Sequence, residues 1–307
     1  MLATLTARRF SDPGWIFEPK WDGERCLAFR HGRAVELLSR NRRPLDAHYP
    51  ELVDALAAQG ADDFVVDGEI VAFEGTRTSF ARLQRRMQIS DPERARRAGV
   101  PVFFYLFDLL YVDGYDVTGL GVRARKSVLR RLLHFHDPLR LTPHRNTTGE
   151  AYWQEACRKG WEGVIAKRAD SPYVSGRSSD WLKFKCVNEQ EFVIGGYTDP
   201  KGSRIGFGAL LVGYYRGDDL VFAGKVGTGF DDETLERLSG RLASMERGRP
   251  PFTVGRLPRA GVHWVRPELV CQVGFTEWTR EGQLRHPRFM GLREDKGPRE
   301  VVRERPV

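Results

Sequence analysis

VFFYLFDLLYV, residues 102–112, carries one charge among eleven positions and has no alternating polarity. A β-branched and aromatic run of this kind is a strand covered on both faces, and it is far short of the roughly 18 apolar residues a membrane-spanning helix needs. The chain must therefore build a layered sheet around it. Residues 64–73, FVVDGEIVAF, make a second such strand, and residues 26–40, CLAFRHGRAVELLSR, read as a hairpin turning at His31-Gly32. Phe80, Leu83 and Met87 recur at helical spacing, as do Leu129, Leu132 and Leu133 in an arginine-rich segment. The first part of the chain is thus mixed α and β.

After Cys186 the pattern changes. Residues 191–197, 209–215, 220–226 and 269–275 are short strands punctuated by glycine turns, with one charged helical segment over 231–246. Strands with one interposed helix, over about 110 residues, fit a small OB-type barrel. A boundary near Val187 and Asn188 divides the 307 residues into two domains, 1–187 and 188–307. No run reaches spanning length and the first residues lack a signal pattern, so a cytoplasmic protein is expected. Cys26, Cys157, Cys186 and Cys271 are scattered without metal or disulfide spacing, which reads as buried thiols in a reducing compartment. A net charge of +8 favours a polyanionic partner such as nucleic acid.

There is no G-x-x-x-x-G-K-[ST] loop, H-E-x-x-H or G-x-S-x-G, so a P-loop ATPase is disfavoured and any nucleotide chemistry uses another device. EPKWDGER, residues 18–25, suggests one. A lysine amine becomes a nucleophile when burial and neighbouring cations disfavour its ammonium form. Pro19 and Trp21 supply burial for Lys20, Asp22-Gly23 a turn that brings backbone near a ligand, and Arg25 a planar fork for phosphate or ribose. Lys183 and Lys185, two apart on a strand, present two charges to one place.

In order along the chain, EPKWDGERC, LLSRNRRPL, VVDGEIV, LFDLLY, EGVIAKR, SPYVSGRSSDWLKFK and HPRFMGLREDK resemble the covalent nucleotidyltransferase superfamily of ATP-dependent DNA ligases, RNA ligases and mRNA capping enzymes. Within it the resemblance is to the ligase domain of bacterial end-joining DNA ligases, of the DNA ligase D type. It implies an α+β fold: an ATP-grasp-like nucleotidyltransferase domain of antiparallel sheets and helices, then an OB-fold β-barrel.

The resemblance also implies roles. Lys20 is the nucleophile that takes AMP from ATP. Glu18 reads the adenine edge, Phe107 stacks on the base, and Arg25, Arg40 and Glu69 surround ribose and phosphate. Glu162, with Glu69, is a carboxylate for Mg²⁺ or Mn²⁺, and Lys183 and Lys185 neutralise the α-phosphate. Arg293 and Lys296 orient the pyrophosphate leaving group from the last motif, with 187–188 as the hinge that brings it there. Lys167, by strict alternation, falls on the opposite face from Glu162 and is left out of the site.

The expected substrate is nicked or broken duplex DNA, held mainly through its phosphates, with Arg42, Arg43, Arg82, Arg85 and Arg86 as candidate contacts. A monomer is expected, acting at the nucleoid alone or with Ku or separately encoded repair proteins. Lys20 lies so near the start that no DNA-binding domain is expected before it. The rival readings are an RNA ligase or capping guanylyltransferase, which share the lysine chemistry, and a catalytically silent DNA-binding relative.

Overall fold

The computed structural model describes residues 1–200 and 202–306. One compact unit is built on Met1–Cys186 and a second on Val187–Glu304. In the first unit the run Val102–Val112 is a strand in a seven-stranded sheet, paired with Asp63–Glu74 on one side and with Tyr115–Asp116 and Leu139–Leu141 on the other. The hairpin Glu24–His31 and Ala34–Ser39 completes the far edge. Alternation assigns the faces. Phe104, Leu106 and Leu109 join Phe64, Val66 and Ile70 in a core closed by Leu52, Leu56, Leu83 and Leu129 from the helices Pro50–Ala57, Phe80–Met87 and Val122–Leu132. The opposite face carries Arg25, Glu69 and Tyr105 in one cross-strand row.

The second sheet of this unit has the strand order Leu2–Leu5, Arg177–Lys185, Gly163–Arg168, Trp15–Pro19, Arg145–Asn146. Its Phe17, Val164, Ala166 and Phe184 are buried against Tyr152 and Ala156 of the helix Gly149–Arg158. The remaining faces of the two sheets meet where Phe107 touches Trp181, ring centroids 6.1 Å apart. The strand expected at 181–185 begins earlier, at Arg177, because Leu2–Leu5 runs alongside it from Arg177 to Lys183.

In the second unit the strand Asn188–Thr198 organises the sheet. Along one edge its first half pairs with Val270–Phe275 and its end with Val262–Val265, while Leu210–Arg216 takes the other edge. Two successive partners along one edge curl the sheet toward a barrel. The helix Asp232–Ala243 starts on Asp231, whose carboxylate accepts from the Thr234 N–H at 2.8 Å, and buries Leu235, Leu238 and Leu242 in the barrel core.

The reading of four separate thiols is corrected for one pair. Cys157, near the end of the helix Gly149–Arg158, and Cys186, just past the strand Arg177–Lys185, form a disulfide with Cα atoms 5.1 Å apart. Helix and strand packing brings together two residues 29 apart in sequence, which no local spacing rule detects. Cys26 and Cys271 are free and buried. Among the described residues no helix is long and apolar enough to cross a membrane.

Candidate active site

Lys20 lies just past the strand Trp15–Pro19, where its N–H donates to the Gly163 carbonyl at 2.9 Å. That bond extends the pairing of this strand with Gly163–Arg168 by one step and brings Lys20 beside Glu162. The Lys20 Nζ forms an ion pair with the Glu162 carboxylate, itself largely buried. Gly163 sits at φ +152°, and a Cβ there would lie 2.1 Å from the Phe184 carbonyl oxygen, so only glycine admits the close approach to the next strand. Gly23 of the K-W-D-G stretch is likewise required for close packing. Its backbone approaches its own sheet, 2.2 Å from a built Cβ to the Ile70 carbonyl oxygen.

Pairing registers align the remaining residues. Glu18 lies opposite Ile165 and Ile165 opposite Lys183, so Glu18 and Lys183 share one face two strands apart. Lys185 lies opposite Gly163 on that same face by the two-residue period. Trp21 rests on Tyr105 with centroids 4.1 Å apart and donates from Nε1 to Thr142 at 3.3 Å, walling the space around Lys20. Ser39 pairs with Cys26, which makes Arg40 leave the sheet edge beside Arg25.

Lys167 is corrected. It is almost fully buried, 2.7 Å from one oxygen of Glu18, with its Nζ over Phe107 and Trp181 at 4.4 and 3.9 Å. Alternation counted from Glu162 sets Lys167 apart, but the strand starts at Gly163, whose unusual φ resets the count; Gly163, Ile165 and Lys167 share the face of Glu18 and Lys183. The other oxygen of Glu18 is 2.5 Å from Lys126, a residue the sequence reading did not single out. Burial alone would raise the Glu18 pKa, but Lys126 and Lys167 overcome it and hold the carboxyl below its usual range.

Arg25 stacks over Phe107 at 4.6 Å, and its fork is engaged by Asp67 at 2.5 and 2.6 Å, to which Tyr173 also donates at 2.7 Å. Arg25 therefore braces the wall beside Phe107. Burial opposes ionisation of Asp67, yet Arg25 wins and holds its carboxyl below the usual carboxylate range. A depressed carboxylate stabilises the fold fully above its unfolded pKa and loses that contribution as pH falls through the folded value. Asp67→Asn removes the buried carboxylate from a partly buried guanidinium that solvent can still reach, an expected loss of about 2–3 kcal/mol at pH 7. Urea unfolding at pH 7 and pH 3 should show the gap between variant and wild type shrinking on acidification. A gap that widened would mean Asp67 is folded as a neutral acid.

Arg86 is removed from the candidate DNA contacts. It is buried, and its Nη2 donates to both Glu51 carboxylate oxygens, at 2.7 and 2.9 Å, and to the His48 carbonyl at 2.9 Å. Arg42, Arg43 and Arg85 are exposed and Arg82 is half-buried. In the second unit, Arg293 is bidentate to Asp295 at 2.9 and 2.8 Å, and Lys296 pairs with Glu191.

Among the described residues no three His, Cys, Asp or Glu side chains form a metal-binding group. Glu162 nevertheless fits a hard divalent cation, because Mg²⁺ commonly binds through one or two carboxylates together with substrate phosphates and water.

Residues 1–185 match the family described as ATP dependent DNA ligase domain, and residues 203–296 match ATP dependent DNA ligase C terminal region. The chain is 40% identical over 301 residues to the multifunctional non-homologous end joining protein LigD of Pseudomonas aeruginosa, covering 95% of this chain and 35% of that protein. The LigD of Mycobacterium tuberculosis is 41% identical over 313 residues, 99% of this chain and 39% of the relative. The chain thus spans less than half the length of these relatives. The solved structure of mycobacterial DNA ligase D complexed with ATP and MES superposes with a TM-score of 0.68 at 36% identity, covering 99% of this chain and 98% of the other. A lysine backed by a carboxylate, two further lysines on the same face and a match running through both units lead to one family, and the chain belongs to the ATP-dependent DNA ligases.

Proposed function

We propose that this chain seals 5′-phosphate/3′-hydroxyl breaks in DNA at the expense of ATP, in end-joining repair. The observation that carries the reading is the Lys20 Nζ held against Glu162, beside the face on which Glu18, Lys183 and Lys185 converge. A nucleophile, a row of cations for phosphate and a buried carboxylate for a base edge are what capture of a nucleotide requires.

In the first step the lysine amine, having shed a proton, attacks the α-phosphorus of ATP. An N–P bond forms as the bond to the pyrophosphate oxygen breaks. Lys183 and Lys185 neutralise charge developing on the α-phosphate, while Phe107 and Glu18 hold the base and Arg40 and Glu69 border the sugar and phosphates. A divalent cation, Mg²⁺ or Mn²⁺, held by Glu162 with Glu69 near, supplies further charge neutralisation when bound. Arg293 and Lys296 orient the departing pyrophosphate, and Val187–Asn188 serve as the hinge between domains 1–187 and 188–307. AMP then passes to a DNA 5′-phosphate, and the 3′-hydroxyl displaces it. The DNA is tracked by its phosphates at the nucleoid, with Ku or a separately encoded repair protein as candidate partner.

The test is the intact mass of the protein after incubation with ATP or GTP and Mg²⁺, before and after nicked DNA is added. An AMP adduct discharged by the nick supports the reading. Capture of GMP would move the chain to the capping enzymes, and no adduct with any divalent metal would overturn the lysine chemistry.

A further inference from the structure

Lys126 stands outside every motif of the chain. On the helix Val122–Leu132, Arg123 and Arg130 are exposed, whereas the adjacent pair Arg125 and Lys126 is buried. Each of the two grips a carboxylate from a different sheet. Arg125 is bidentate to Asp108 at 2.7 and 2.9 Å, and Lys126 reaches Glu18 at 2.5 Å while donating to the Thr142 carbonyl at 3.1 Å. Lys126 and Glu18 are 3% and 2% exposed. One buried cation, Lys167, already meets the other oxygen of Glu18 at 2.7 Å. A second buried lysine is costly to desolvate, and an apolar residue would fill the helix position more cheaply unless the carboxylate needed both oxygens held.

We propose that Lys126 is a positioning residue for base selection, fixing the Glu18 carboxylate as an acceptor toward the purine, so that a 6-amino group is taken and a 6-oxo group refused. The inference rests on the reading above that Glu18 faces the base. A carboxylate clamped at both oxygens by cations carries no proton and only accepts hydrogen bonds. A 6-amino group donates to it, whereas a 6-oxo group sets acceptor against acceptor in a buried site. Sites that demand a hydrogen bond reject the mismatched partner strongly. With Lys126 gone, Glu18 keeps Lys167 alone, and one oxygen turns free in a buried space where a protonated carboxyl, able to donate, becomes accessible.

The test compares covalent nucleotide capture from ATP and from ITP, a purine with a 6-oxo group, in wild type, Lys126→Met and Lys126→Gln. The glutamine variant keeps a donor for the Thr142 carbonyl without the charge. The expected result is an ATP KM raised about tenfold, a kcat for adenylation within threefold of wild type, and an ATP-over-ITP preference reduced about tenfold. A folded variant that keeps the wild-type preference overturns the inference. So does an equal loss of kcat with both nucleotides, or failure of both variants to fold, since each would make Lys126 structural. Wild type that captures no nucleotide would instead sink the reading beneath it, a result distinct from normal wild type with unchanged variants.

Discussion

Lys20→Ala abolishes covalent capture of AMP, with adduct formation falling by at least about 1,000-fold, to the limit of detection by intact mass. The alanine variant also removes the Lys20–Glu162 ion pair, so lost activity alone does not separate chemistry from structure. Lys20→Arg does. A guanidinium keeps the charge and the partner, but its pKa above about 12 denies it a nucleophilic lone pair. Both variants should lack the adduct, while the arginine variant retains the wild-type unfolding midpoint more nearly than alanine does. AMP retained by Lys20→Ala, or traced by peptide mapping to another lysine, would reassign the nucleophile.

The second large effect belongs to the last motif. Lys296→Ala should slow adenylation by ATP about 100-fold, yet leave sealing of a pre-adenylated nick within about threefold. Pyrophosphate leaves only in the first step, so a cation that serves the leaving group has no task afterwards. The pairs of Lys296 with Glu191 and of Arg293 with Asp295 fix the two cations in a defined arrangement on the second unit. Measuring both steps on the same variant is essential, because equal loss in both would assign Lys296 to DNA binding or to folding.

Much of the site was readable one strand at a time. Lys183 and Lys185 share a face because strand periodicity is two, and the run Val102–Val112 is a strand covered on both sides because no polar residue interrupts it before Asp108. Asp108 itself is buried on Arg125, a partner that hydrophobic pattern does not name. Counting alternation from Glu162 misplaced Lys167, since the positive φ of Gly163 is not a property that a residue string displays. Arg86 reads as a surface charge because nothing local in the sequence pairs it with Glu51, 35 residues away.

The chain's sequence alone determined the order of its motifs, the nucleophile candidate and the change from mixed α/β to short strands after Cys186, because these depend on residue type and local period. Tertiary structure decided which cations meet which carboxylates: Lys20 with Glu162, Arg25 with Asp67, and Lys126 and Lys167 together on Glu18, as well as the bond between Cys157 and Cys186. Partners of a buried charge are chosen by which faces pack together, and that choice is made across sheets and helices distant in sequence, where no periodicity reaches.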